Sequence, residues 1–172
     1  MKTKLAVLCS ATLLAGTCWA ASKDSGSHNL TDVGSSFLDA VATSDYTGIE
    51  LSKAAAANSQ SQAVRGFAQQ MADDQSNNYS ALQALSDKKK HAIAPQFDGR
   101  QAETLRQVQS ANNGDAIDRA YLDAMITDQS AMESVLERIA NNSNDSDIAR
   151  FASDTLTMVK KHQQAAAGLV RD

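Results

Sequence analysis

Between residues 35 and 170 the chain carries four long stretches in which apolar residues return every three or four positions, and proline is absent from all of them. That spacing lays one apolar stripe along each of four helices and argues against strands, whose period is two. The first stretch, about 35 to 57, carries Phe37, Leu38, Val41, Ile49 and Ala55 on one side. In the second, about 61 to 87, the stripe runs Val64, Ala68, Met71, Gln75, Asn78, Leu82, Leu85. The third, about 115 to 140, carries Leu122, Met125, Gln129, Met132, Leu136 and Ile139, and the fourth, about 145 to 170, Ile148, Ala152, Thr155, Val159, His162 and Ala166.

Polar boundaries set the connectivity. Asn58, Ser59 and Ser61 separate the first two stretches, and NNSNDSD (141 to 147) separates the last two and supplies N-cap side chains. Turns this short predict two antiparallel helix pairs. The longest connection, KKKHAIAPQFDGR, holds the only proline, Pro95, and leads into a short helical stretch near 102 to 109. It joins pair to pair, either as the crossover of a ferritin-like bundle or as the long loop of an up-and-down bundle. The expected fold is an all-α four-helix antiparallel bundle spanning 35 to 171.

The start of the chain has another character. Lys2 and Lys4 precede an apolar run from Leu5 to Gly16, and small residues surround Ala20 and Ala21, the pattern of a secretory signal peptide cleaved after residue 20. The run is too short for a membrane span of about 20 residues, and no later segment approaches that length. The stretch Ala15, Gly16, Thr17, Cys18 fits a lipoprotein signal poorly. Residues 21 to 34 read as a flexible tether. The expected compartment is the periplasm, even though Cys9 and Cys18, the only cysteines, both leave with the signal, so the mature chain has neither disulfide nor thiolate. Loss of Lys2 and Lys4 without loss of any acid moves the net charge from −4 to −6, which disfavours nucleic acid as a partner.

Residues 71 to 76 read MADDQS and residues 125 to 130 read MITDQS. The recurrence marks equivalent positions on two helices, each with a Gln midway along an apolar stripe. Gln75, Gln129 and His162 all fall within about one turn of their helix centres, so antiparallel packing brings them to one level. The first helix contributes Gly48 at that level, with Asp45 one turn earlier. An inward amide or imidazole without a partner costs about 1 to 3 kcal/mol, so mutual hydrogen bonds, buried water or a ligand are expected to satisfy the layer. A purely structural role, fixing helix register as buried Asn does in coiled coils, competes with a small-molecule or metal site.

Metal chemistry is thin: His162 is a good ligand, Asp45 could add a carboxylate, and Gln is a weak oxygen donor. A carboxylate-bridged di-iron centre needs inward Glu and two Glu-x-x-His pairs, whereas the four glutamates Glu50, Glu103, Glu133 and Glu137 never stand three before a His. Lys88, Lys89, Lys90 and His91 complement the dipole of the second helix. Asp73, Asp74 and Asp128 read as a solvated flank, and His28 and His91 lie away from the layer. Phosphate loops, nucleophile elbows and zinc-binding His pairs are absent from the sequence. The reading leans to a non-enzymatic protein without a resident cofactor, whose partner is a protein or a small ligand; a metal held by His162 and Asp45 is the alternative.

The stretches FLDAVATSDYTGIELSKAA, VRGFAQQMADDQS, DRAYLDAMITDQS and FASDTLTMVKKH, in this order and at these gaps, resemble a bacterial family of exported proteins, domain of unknown function four-one-four-two. The resemblance implies a ferritin-like helical bundle, mostly periplasmic, without an established family-wide activity. It also implies a Glu in the family where this chain has Gly48, and Asp-His where it has Asp74-Gln75 and Asp128-Gln129. Of the layer that in relatives could hold a metal, only His162 remains.

Overall fold

The computed structural model describes residues 31–110 and 114–170. All regular structure among them is helical: α1 (Asp32–Asn58), α2 (Gln62–Lys89), α3 (Gly99–Ser110), α4 (Gly114–Asn142) and α5 (Ser146–Leu169). The expected signal segment and most of the expected tether lie outside the described residues. The helical pattern itself begins three residues earlier than the apolar stripe suggested, because Thr31 accepts the Gly34 amide at 3.1 Å and caps α1. Ser61 caps α2 through the Val64 amide at 3.3 Å, and Asp145 caps α5 through the amides of Asp147 and Ile148. At the start of α3, Asp98 and Gln101 bond each other's backbone amides at 2.7 and 2.8 Å, a reciprocal capping box that fixes its first turn.

Each long helix packs on two others, in the ring α1, α2, α5, α4, and α3 lies outside against α1 and α4. The apolar core resolves the open question of connectivity. One cluster gathers the C-terminal half of α1 with the N-terminal halves of α2 and α4 and the end of α5, among them Ala55, Met71, Tyr121 and Ala166. The other gathers the start of α1, the ends of α2 and α4, and the start of α5, among them Leu38, Leu82, Leu136 and Ala152. Hence α2 and α4 run parallel on one diagonal, and α1 and α5 run parallel on the other. The connection from α2 to α4 must travel the length of the bundle, so it is a crossover and not a loop between up-and-down neighbours.

The lysine run does more than complement a helix dipole. The covered ammonium of Lys89 meets Asp145 at 2.5 Å and Asp147 at 3.1 Å, and Lys88 meets Asp147 at 2.7 Å. Both acids sit at the N-terminus of α5, where helix dipole and lysines act in the same direction. Lys88 first, then Lys89, hold the Asp147 carboxyl down at about 2. Lys90 ends α2 in the left-handed conformation (φ 55°), and the amide of His91 returns to the Ser86 carbonyl at 3.0 Å. His91 then bonds Asp39 of α1 at 2.8 Å, so the crossover is tied down where it starts.

Candidate functional site

The two apolar clusters do not meet along most of the bundle. Between them, α1 presents Asp45 and Gly48, α2 presents Gln75 and Asn78, α4 presents Gln129, and α5 presents Thr155 and His162. Each side chain is placed by periodicity: the apolar stripe continues on either side and the polar residue takes one of its positions. All five residues singled out from the sequence are buried here. Exposure is 3% for Asp45, 1% for Gln75, 3% for Gln129 and 2% for His162, and Gly48 is likewise enclosed.

Gly48 has a definite task in this layer. A Cβ built on it would stand 2.0 Å from Oε1 and 2.3 Å from Nε2 of Gln75, so the Gln75 amide occupies the notch that the missing side chain leaves. Of the ways expected to satisfy the layer, mutual hydrogen bonds, buried water or a ligand, the first does not serve Gln75. Neither amide atom of Gln75 has a partner in the protein, and the same holds for Oε1 of Gln129 and Nδ1 of His162. The reason is topological: α2 and α4 occupy one diagonal of the ring, and diagonal helices stand farther apart than neighbours.

Partners do come from residues beside the stripe. Nε2 of His162 lies 2.9 Å from Oδ2 of Asp74, across the α2–α5 contact. Ser44 of α1 donates to Asp128 of α4 at 2.6 Å. The repeated hexapeptide therefore has one structural meaning in both copies. Its Met is core, Met71 at 0% and Met125 at 1% exposure, its Gln enters the layer, and its Asp bonds the adjacent helix. Asp73, Asp74 and Asp128 were expected on a solvated flank; Asp73 is exposed, whereas Asp74 and Asp128 are partly buried and each is bonded to a neighbouring helix.

A second strand of polar contacts runs through Asn78, which donates to Asp45 at 2.8 Å and accepts from Thr155 at 2.9 Å. Asn78 and Thr155 stood in the sequence as stripe members, and their polarity was the signal for this bridge. Burial is the main reason that the Asp45 carboxyl is pushed up to about 8; the Asn78 bond opposes it and the neighbouring Asp128 charge adds to it.

Chemically, the arrangement is a satisfied rim around unpartnered amides. His162 and Asp74 form a pair of the kind that assists a nucleophile, but Nδ1 of His162 has no hydrogen-bond partner in the protein, hence no hydroxyl to activate. The layer is also sparse in metal ligands. Nε2 of His162 is engaged, Asp45 favours the neutral acid, the amides are weak donors, and among the described residues no group of three His, Cys, Asp or Glu is placed to hold an ion.

Fold and layer together define an all-α bundle protein whose core is interrupted by a buried polar level. The chain belongs to the family described as a domain of unknown function, DUF4142, whose pattern matches residues 20–169. A solved structure, the DUF305 fragment from Deinococcus radiodurans, is similar with a TM-score of 0.72 at 13% identity, covering 81% of this chain and 96% of that one, a likeness of fold alone. No curated protein matches the chain.

Proposed function

We propose that the protein is a non-enzymatic component of the bacterial envelope, a binding or interaction module exported to the periplasm, built as a ferritin-like four-helix bundle without a resident cofactor. The observation that carries this reading is the sealing of the polar layer. Its imidazole is 2% exposed and has Nε2 2.9 Å from Asp74, so this level turns no imidazole toward a substrate. The crossover between α2 and α4 and the parallel diagonals support the ferritin-like label. None of the described helices is long and apolar enough to cross a membrane, in keeping with a module that works beside one.

Elemental analysis of protein recovered from the periplasm, followed by thermal melts with iron, manganese, zinc and copper, tests this reading. The expected result is metal far below one per chain and melting temperatures that the ions leave unmoved. One metal per chain, lost in His162→Ala together with a stabilising shift, would replace the reading with a metal-binding protein. The mass of the exported protein checks the compartment: a chain starting at Ala21 is expected, and an unprocessed or Cys18-lipidated chain would overturn it.

A further inference from the structure

The crossover leaves an opening beside the bundle. Helix α3 buries only Val108, so it rests on α1 and α4 at one end. Toward its other end, a groove of about 430 Å³ lies between α1, α3 and α4. That volume falls within the range of about 300–1,000 Å³ typical of small-molecule sites. Its floor is made by Leu51 and by the small residues Ala120 and Ala124, which let a ligand approach the α4 backbone. Three charged residues line it, Arg100 on α3 and, facing it on α4, Asp123 and Asp128.

We propose that this groove binds a small zwitterion of the amino-acid class, its carboxylate on Arg100 and its ammonium group on Asp128. The capping box at Asp98 and Gln101 fixes the turn that carries Arg100, and no ion pair among the described residues uses its guanidinium. Ser44 donates to Oδ2 of Asp128 at 2.6 Å, which steadies the carboxylate at the edge of the groove. Burial raises the Asp128 carboxyl, while Ser44 and the charge of Arg100 act against that rise, so the two groups sense each other across the groove without touching. A cation on α3 facing two carboxylates on α4 matches a ligand that carries both charges and disfavours an anion alone.

An independent observation marks the same place. Thr47 lines the groove, is 3% exposed, and its hydroxyl has no hydrogen-bond partner in the protein. A buried hydroxyl that borders a cleft without a partner in the protein is left for a polar group that reaches it from that side. The site is separate from the sealed layer, although Asp128 stands one residue before Gln129.

The proposal rests on the reading of the protein as a binding module. The test is a set of amide NMR titrations of the processed protein with each of the twenty proteinogenic amino acids singly, with acetate and ethylamine as one-charge controls. At least one amino acid is expected to give saturable shifts at Thr104, Ala124 and Thr127. Arg100→Gln and Asp128→Asn should each weaken it tenfold or more, with the rest of the spectrum unchanged, and the controls should bind at least tenfold more weakly. Because Arg100 is exposed, its variant reports on binding even if Asp128→Asn fails to fold. Absence of saturable shifts from every amino acid, or acetate binding as tightly as the best of them, overturns the site and leaves the binding-module reading standing. Turnover of a bound amino acid would instead overturn that reading and leave the site.

Discussion

Replacing Asp45 with asparagine is expected to make the protein more stable at pH 8 by several kcal/mol while changing little at pH 4. Burial keeps Asp45 protonated in the fold up to about 8, whereas the unfolded chain releases that proton near the ordinary value of 3.8. The folded state therefore holds a proton that the unfolded state has lost throughout this window. Stability is fully present below about pH 4 and declines as pH rises toward 8. At about 1.4 kcal/mol per pH unit, the loss has a ceiling of about 6 kcal/mol, which water penetration and local relaxation reduce.

Asparagine imitates the neutral acid and keeps an oxygen for the 2.8 Å bond from Asn78. Denaturant melts from pH 4 to pH 8 on both proteins check this. The native protein should lose stability steadily and the variant should be flatter, with the residual slope coming from Asp128, which burial also raises. Parallel curves would mean that Asp45 is hydrated and ionised in the fold.

The second large effect concerns Gly48 and Gln75, and its sign should depend on the background. In an ordinary helix Gly→Ala stabilises by about 1 kcal/mol. Here the new methyl group would meet the Gln75 amide at 2.0 to 2.5 Å, and Gln75 is 1% exposed with little room to swing away. Gly48→Ala alone is therefore expected to cost about 1 to 3 kcal/mol, the usual range for overpacking. With Gln75→Ala already made, the clash is gone and the same change should stabilise by up to about 1 kcal/mol. A double-mutant cycle read by chemical denaturation measures the reversal. If Gly48→Ala stabilises both backgrounds equally, the amide does not sit in the notch.

The parts of this architecture that could be read from the sequence are those fixed by periodicity alone. Four apolar stripes with polar interruptions gave helix positions within a few residues and placed Asp45, Gly48, Gln75, Gln129 and His162 on inward faces, where all five are buried. Periodicity separates inward from outward, but not which neighbour a sideways residue meets. That is why Asp74 and Asp128, each one place before an inward Gln, were missed as partners of His162 and Ser44. Lys89 was missed for a related reason: in a run of three lysines, only the packing of α2 against α5 distinguishes the covered one. The direction of α4 was equally beyond reach, since a connection with one proline and a short helix can either turn back or cross over. That direction decides that α2 and α4 are diagonal, and so that their two glutamines do not meet.

The crossover has a consequence for how the molecule comes apart. Helices α1 and α2 form one hairpin and α4 and α5 another, and each hairpin is in more extensive contact within itself than with its partner. The seam between the hairpins is crossed by the bonds of Ser44 with Asp128, His162 with Asp74 and Thr155 with Asn78, while the Gln75 amide is packed against Gly48 within the first hairpin. Parting the hairpins returns those side chains to water, so the bonds lost are replaced by bonds to solvent while the apolar area exposed is not compensated. The less extensive contact between the hairpins makes the seam the expected line of partial unfolding. Amide hydrogens on the inward faces of α2 and α4 near the layer should exchange through this opening sooner than those within either hairpin. A level that looks like the locked centre of the fold is, in kinetic terms, its hinge line.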